Sequence, residues 1–155
     1  MLLACTEPSL HATELMSAKL VSLGPDDSVA DARRLFDEHG FHHLLVVERG
    51  QLVGILSDRD LLRNLSPFVD KMAERPQDLA LLNRRVHQIM AREPITLPHN
   101  ARIDEAAALM HIHDVSCLPI VDDDGRPIGI LTRTDLLRGL AACLLPPDND
   151  ESLRR

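Results

Sequence analysis

The chain carries one unit twice, over residues 15–65 and 89–140. Met16, Leu23, Ala32, Leu35, His39, Leu44 and Val47 recur as Met90, Leu97, Ala106, Leu109, His113, Leu118 and Val121, at an offset of 90 − 16 = 74. After one inserted residue the offset becomes 129 − 54 = 75. Gly54-Ile55-Leu56-Ser57-Asp58-Arg59-Asp60-Leu61-Leu62-Arg63 then matches Gly129-Ile130-Leu131-Thr132-Arg133-Thr134-Asp135-Leu136-Leu137-Arg138. Such a repeat implies a pseudo-twofold module with paired, near-equivalent clefts. It is poor evidence for a single catalytic centre.

Local patterns make each copy a strand, helix, strand, strand, helix series. Leu20-Val21-Ser22-Leu23 reads as a short strand, and Gly24-Pro25-Asp26-Asp27-Ser28 as a turn ending in a helix cap. Apolar residues at 29, 32, 35 and 36 have helical spacing, and Gly40 ends that helix. Leu44-Leu45-Val46-Val47 is a buried-strand pattern, Glu48-Arg49-Gly50-Gln51 a hairpin turn, and 52–56 the next strand. Ser57 caps a helix across 58–65. In the second copy Ile95-Thr96-Leu97 is a strand and 98–102 a turn. Residues 103–113 form a helix, 118–121 and 128–131 are strands, and Thr132 caps a helix reaching about 144. Thr13 is expected to cap a turn at 13–16. The expected division is an arm over 1–12, a first domain over 13–66, a helical linker over 67–86, a second domain over 87–145 and a disordered tail over 146–155. The linker helices, at 68–74 and 77–86, are expected to pack over the side of the module.

Composition narrows the function classes. The 155 residues carry a net charge of −7 and only 2% aromatic side chains, with no Trp or Tyr. An acidic chain lacks the concentrated basic face that nucleic acid or an anionic membrane surface demands, and base stacking needs aromatics. Cys5, Cys117 and Cys143 show neither a disulfide framework nor zinc spacing. Residues 1–4 are apolar without the flanks of a signal peptide, and no apolar run approaches the ~20 residues of a membrane span. The expected location is cytoplasmic.

The doubled Gly-hydrophobic-hydrophobic-Ser/Thr-x-x-Asp-Leu motif, preceded by His42-His43-Leu44-Leu45-Val46-Val47 and Ser116-Cys117-Leu118-Pro119-Ile120-Val121-Asp122, resembles a tandem pair of CBS domains (cystathionine-β-synthase-type). The resemblance covers about residues 13–141. It implies an α+β (α/β) fold of two β-α-β-β-α units packed with pseudo-twofold symmetry, and two clefts that take AMP, ADP, ATP or S-adenosylmethionine. It also implies a homodimer, no required cofactor, and a regulated partner protein that the residues do not identify.

The spacing has its own chemistry. Ser57 or Thr132 at a helix N-terminus lies among backbone N–H groups that favour an anion. A carboxylate three residues on shares that face and can accept both hydroxyls of a ribose. The resemblance assigns that role to Asp60 and Asp135, and ribose or phosphate contact to the Ser57 and Thr132 hydroxyls. The alternative is plain helix capping, and the two are compatible. Arg59 and Arg133 are phosphate candidates because guanidinium offers a planar fork of donors, although Arg133 stands one residue out of register. His42 and His43 face phosphate in the resemblance, against structural strand-entry histidines otherwise, and Ser116 and Cys117 replace them in the second copy. Val21 with Ser22, and Ile95 with Thr96, would contact the adenine. Arg63 and Arg138 read as helix C-terminal charges, and His39 and His113 as structural.

The leading expectation is an adenosyl-ligand sensor, not an enzyme, whose first copy prefers the more charged ligand. The alternatives are a structural dimerisation module with degenerate clefts and a metal-dependent hydrolase using His42, His43 and nearby Asp residues. No HExxH, P-loop or GxSxG accompanies the latter.

Overall fold

The structure is a computed structural model that describes residues 10–65 and 80–144. Residues 1–9 of the expected arm, 67–79 of the expected linker and the whole expected tail over 146–155 lie outside the described residues. The chain forms two compact units. The first comprises Lys19–Ile95 with Asp124–Pro127, and the second takes the described residues on either side of those segments.

In the first unit, β1 (Ser22–Leu23), α2 (Val29–His39), β2 (His43–Glu48), β3 (Gln51–Ser57) and α3 (Asp58–Asn64) follow one another. β1 and β2 are parallel, with Leu23 opposite Val46, and α2 is the crossover that parallel pairing requires. β2 and β3 are antiparallel across Arg49-Gly50, whose φ values of 51° and 81° match the right-handed strand twist. Leu44, Leu45 and Val46 are buried on β2 at 0%, 2% and 0% exposure, which explains the unbroken apolar run. Each such side chain contributes roughly 1.5–3 kcal/mol. α2 buries Val29, Ala32 and Phe36, and ends at Gly40 with φ 63°.

The second unit repeats the order as β5 (Leu97–Pro98), α4 (Ile103–Ile112), β6 (Cys117–Val121), β7 (Pro127–Thr132) and α5 (Arg133–Leu144). Leu97 lies opposite Ile120, the same register as Leu23 with Val46. Pro98, expected in a turn, is instead the last residue of an edge strand, where a missing N–H is tolerated. Asp114 has φ 50° at the position of Gly40, and aspartate is among the few side chains that accept it.

In space, the compact units take up segments on either side of the repeat starts. Residues 13–18 group with the second repeat, and 87–95 with the first. A short helix, α1 (Ala12–Leu15), begins where the Ala12 N–H bonds to the Ala101 carbonyl at 2.9 Å. Its N-cap is therefore His11, not Thr13. The Leu10 carbonyl accepts from Ile103, and Ser17 exchanges two backbone bonds with Ile130. At the corresponding place in the first unit, Val29 N–H bonds to the Arg84 carbonyl at 2.8 Å and Val86 N–H to the Asp27 carbonyl at 2.9 Å. A 3-10 turn (Val86–Gln88) follows, and β4 (Ala91–Arg92) then adds to β3. Of the expected helix at 77–86, residues 80–82 are helical and the chain turns before Val86.

Candidate functional site

Ser57 ends β3 and caps α3. Its Oγ–H donates to Asp60 Oδ2 at 2.5 Å, its N–H donates to the same oxygen at 3.2 Å, and Asp60 N–H returns to Ser57 Oγ at 3.1 Å. This is a capping box, which satisfies donors that a helix start leaves open. Thr132 and Asp135 build the same box at the start of α5, with bonds of 2.6, 2.9 and 3.2 Å. A third copy, not singled out by the motif, joins Ser28 and Asp31 on α2 at 2.6, 3.2 and 3.1 Å. Ser28 hydrogen bonding holds the Asp31 carboxyl below its ordinary value.

The boxes change the expected anion chemistry. The Asp58 N–H bonds to the His42 carbonyl at 3.1 Å and the Arg133 N–H to the Ser116 carbonyl at 2.9 Å. With the Asp60 and Asp135 N–H groups also engaged, these helix starts keep few donors for a phosphate. What remains is carboxylate: among the described residues, Asp60 Oδ1 has no hydrogen-bond partner. A carboxylate oxygen in that state accepts hydroxyls and repels anions.

Around the first motif, His43 lies directly across from Ser57 in the β2–β3 register. It is half-buried, and burial, aided by the neighbouring His42, lowers its imidazole below the ordinary value against the opposing pull of Asp58. His42 is exposed and its Nδ1 meets Asp58 Oδ2 at 2.8 Å. Burial raises the Asp58 carboxyl, but the His42 hydrogen bond and the Arg59 backbone N–H outweigh it and leave it lowered. His42 is thus engaged by Asp58. The Arg59 side chain is exposed and makes no hydrogen bond or ion pair among the described residues. Ser22 is exposed at β1, whereas Val21 packs on the first unit's core.

The second motif is tied up differently. Arg133 donates to the Val115 carbonyl at 3.1 Å and to Asp114 Oδ1 at 3.0 Å. Its guanidinium therefore braces the α4–β6 loop, and the phosphate role expected of it has no geometric support. Arg138 sits mid-helix, not at a C-terminus, and reaches Asp135 Oδ1 at 3.2 Å. Ser116 is exposed, and Cys117 replaces His43 with a buried thiol that desolvation pushes up to about 12. Ile95 and Thr96 are half-buried just before β5, which begins two residues later than expected. Among the described residues, no three His, Cys, Asp or Glu side chains group closely enough to hold a metal ion. Nor is any helix there long and apolar enough to cross a membrane.

His43 carries a pH prediction. A folded value below 6.5 means that the unfolded chain binds the proton first, so His43 costs stability as pH falls through 6.5 toward the folded value. The slope is at most about 1.4 kcal/mol per pH unit. Urea melts at pH 7 and 5.5 should show a smaller loss for His43→Cys than for the wild type. Parallel losses would refute the assignment.

Residues 12–67 and 86–142 match the CBS domain family. A CBS domain-containing protein of Dictyostelium discoideum is 38% identical over 136 residues, 86% of this chain and 92% of the relative. The chain spans 40% to 42% of the length of three further curated relatives, from Methanocaldococcus jannaschii. Among solved structures, CBSX2 of Arabidopsis thaliana in complex with AMP is similar at a TM-score of 0.72 and 29% identity, over 86% of this chain and 98% of that one. The CBS domain pair of protein MJ0100, in complex with 5′-methylthioadenosine and S-adenosyl-L-methionine, is similar at a TM-score of 0.73 and 26% identity, over 88% and 99% of the two chains. With two matched segments, a doubled motif and a doubled β-α-β-β-α order, the chain belongs to the CBS domain family and carries the domain in tandem.

Proposed function

We propose that this protein is a regulatory sensor that binds an adenosyl ligand (AMP, ADP, ATP or S-adenosylmethionine) through its two Ser/Thr-x-x-Asp motifs, and that it performs no catalysis. The observation that carries the reading is the Asp60 carboxylate, which keeps Oδ1 outside its capping box and so can accept a ribose hydroxyl. The likeness to solved CBS pairs holding AMP, 5′-methylthioadenosine and S-adenosyl-L-methionine supports it, since all three share the adenosyl group. Arg59, exposed and without a partner among the described residues, suits a phosphate beside the first motif. In this reading Ser57, Thr132, Ser22 and Thr96 supply small polar contacts. Val21 and Ile95 border the base, His42 and His43 favour the charged ligand in the first copy, and Ser116 does not. The protein would act in the cytoplasm as a homodimer whose ligand state a partner protein reads.

The third capping box provides the control. Asp31→Asn, Asp60→Asn and Asp135→Asn should each weaken folding similarly, by about 0.5–2 kcal/mol. Only the Asp60→Asn, Asp135→Asn pair should remove adenosyl binding, by more than about tenfold, because a hydrogen bond to a charged group is worth about 1.5–3 kcal/mol. Calorimetry with AMP and S-adenosylmethionine reads the difference. Unchanged affinity in the folded double variant would sink the proposal.

The Ser28 and Asp31 box also favours a second reading, a structural dimerisation module, because the same geometry there serves α2 alone. A thermal-shift panel of AMP, ADP, ATP, S-adenosylmethionine, NAD and cyclic dinucleotides separates the two, since a ligand of the native state must raise the melting temperature. No shift from any of them would favour the structural module.

A further inference from the structure

We infer that Arg138 is a specificity-determining residue that makes the second motif the weaker adenosyl site, by competing with the ligand for the Asp135 carboxylate. The inference rests on the function proposed above and deepens it. A ribose diol presents two O–H donors, and Asp135 Oδ2 already accepts from the Thr132 hydroxyl at 2.6 Å and the Thr132 N–H at 2.9 Å. Oδ1 is thus the oxygen on which a diol depends. Arg138 holds it at 3.2 Å, with Asp135 only 13% exposed and the arginine 72% exposed.

The first motif lacks this competitor. Asp60 has the same two Ser57 bonds on Oδ2, and Oδ1 is without a partner among the described residues. Arg63 is the equivalent of Arg138 and stands at the same spacing of three residues from the aspartate. It belongs to the last turn of a seven-residue helix, however, and makes no ion pair among the described residues. α5 runs twelve residues, so Arg138 lies in its middle, where a side chain three positions on from Asp135 shares its face. The duplicated Asp and Arg pair thus stands as one open and one occupied carboxylate. Occupancy should then be sequential, first motif before second.

Two backgrounds isolate the sites. In Asp60→Asn only the second motif keeps its carboxylate, and in Asp135→Asn only the first. Titration calorimetry with AMP should show that Arg138→Gln tightens binding about two- to fivefold in the Asp60→Asn background, the range expected for an exposed ion pair. Arg138→Lys should restore the weaker affinity, and Arg138→Gln should change nothing in the Asp135→Asn background. Weaker or unchanged binding on Arg138→Gln in the Asp60→Asn background overturns the inference while leaving the adenosyl function standing. Failure of the wild-type chain to bind AMP and S-adenosylmethionine overturns both.

Discussion

Gly54→Val should destabilise the protein by more than any single change at the exposed motif residues, and more than Gly129→Val. A Cβ built on Gly54 would stand 2.5 Å from Met90 Sδ and 3.0 Å from the Ala91 carbonyl oxygen. The thioether can swing aside, being flexible. The carbonyl cannot, because Ala91 is held in β4 opposite Ile55. Even Gly54→Ala should cost about 1–3 kcal/mol through overpacking, and the branched Val must break the β3–β4 pairing. At Gly129 the atoms nearest the equivalent Cβ all belong to the flexible Met16 side chain, so part of the strain relaxes. Urea denaturation of the three variants tests this ranking. Adding Met90→Ala to Gly54→Ala should recover only part of the loss. Equal destabilisation at the two glycines would show that the backbone contact is not limiting.

That asymmetry shows what could be read from the residues and what could not. The repeat made both glycines visible, and the 74-residue offset also pairs Met16 with Met90. Nothing local says that each methionine packs on the other repeat's glycine, since pairing by sequence proximity assigns Met16 to Gly54. The β-α-β-β-α order was legible because its signals are local: a helical apolar stripe on α2, an unbroken apolar run on β2, and Gly at φ > 0 in the hairpin turn. β4 was not, because Ala91 and Arg92 carry no alternating pattern and pair only by way of β3. The Ser/Thr-x-x-Asp boxes were legible as caps. Their electrostatic surroundings were not: Arg138 on Asp135, Arg133 on Asp114 and His42 on Asp58 depend on which rotamers meet in space. Unequal charge between the copies was expected from His42, His43 and Arg59, but the structure locates much of it in partners rather than in composition.

The exchanged segments lead to the largest predicted effect, which concerns where the chain can be cut. A fragment of residues 19–95 should fold cooperatively, whereas one of residues 13–66, the unit suggested by the repeat, should remain largely unfolded. The shorter cut removes Val86 and Ile89, buried to 0% and 9% exposure in the first unit's core, together with Met90 packed against it. At about 1.5–3 kcal/mol for each large buried apolar side chain, that loss alone rivals the roughly 5–15 kcal/mol by which native domains are stable. It also strips the backbone bonds at Val29 and Val86 and uncovers the β3 edge at Gly54 and Ile55. The longer fragment retains all of these and gives up the exposed bond from the Gln51 side chain to the Asp124 carbonyl. Circular dichroism with urea melts should give a sigmoidal transition for 19–95 and a shallow, non-cooperative change for 13–66. A synthetic peptide of residues 84–95 added to the short fragment should restore structure in a concentration-dependent way, because it supplies the buried side chains and β4 in trans. A cooperative melt from 13–66 alone would mean that the first repeat closes its own core. The exchange of segments would then be a matter of connection and not of stability.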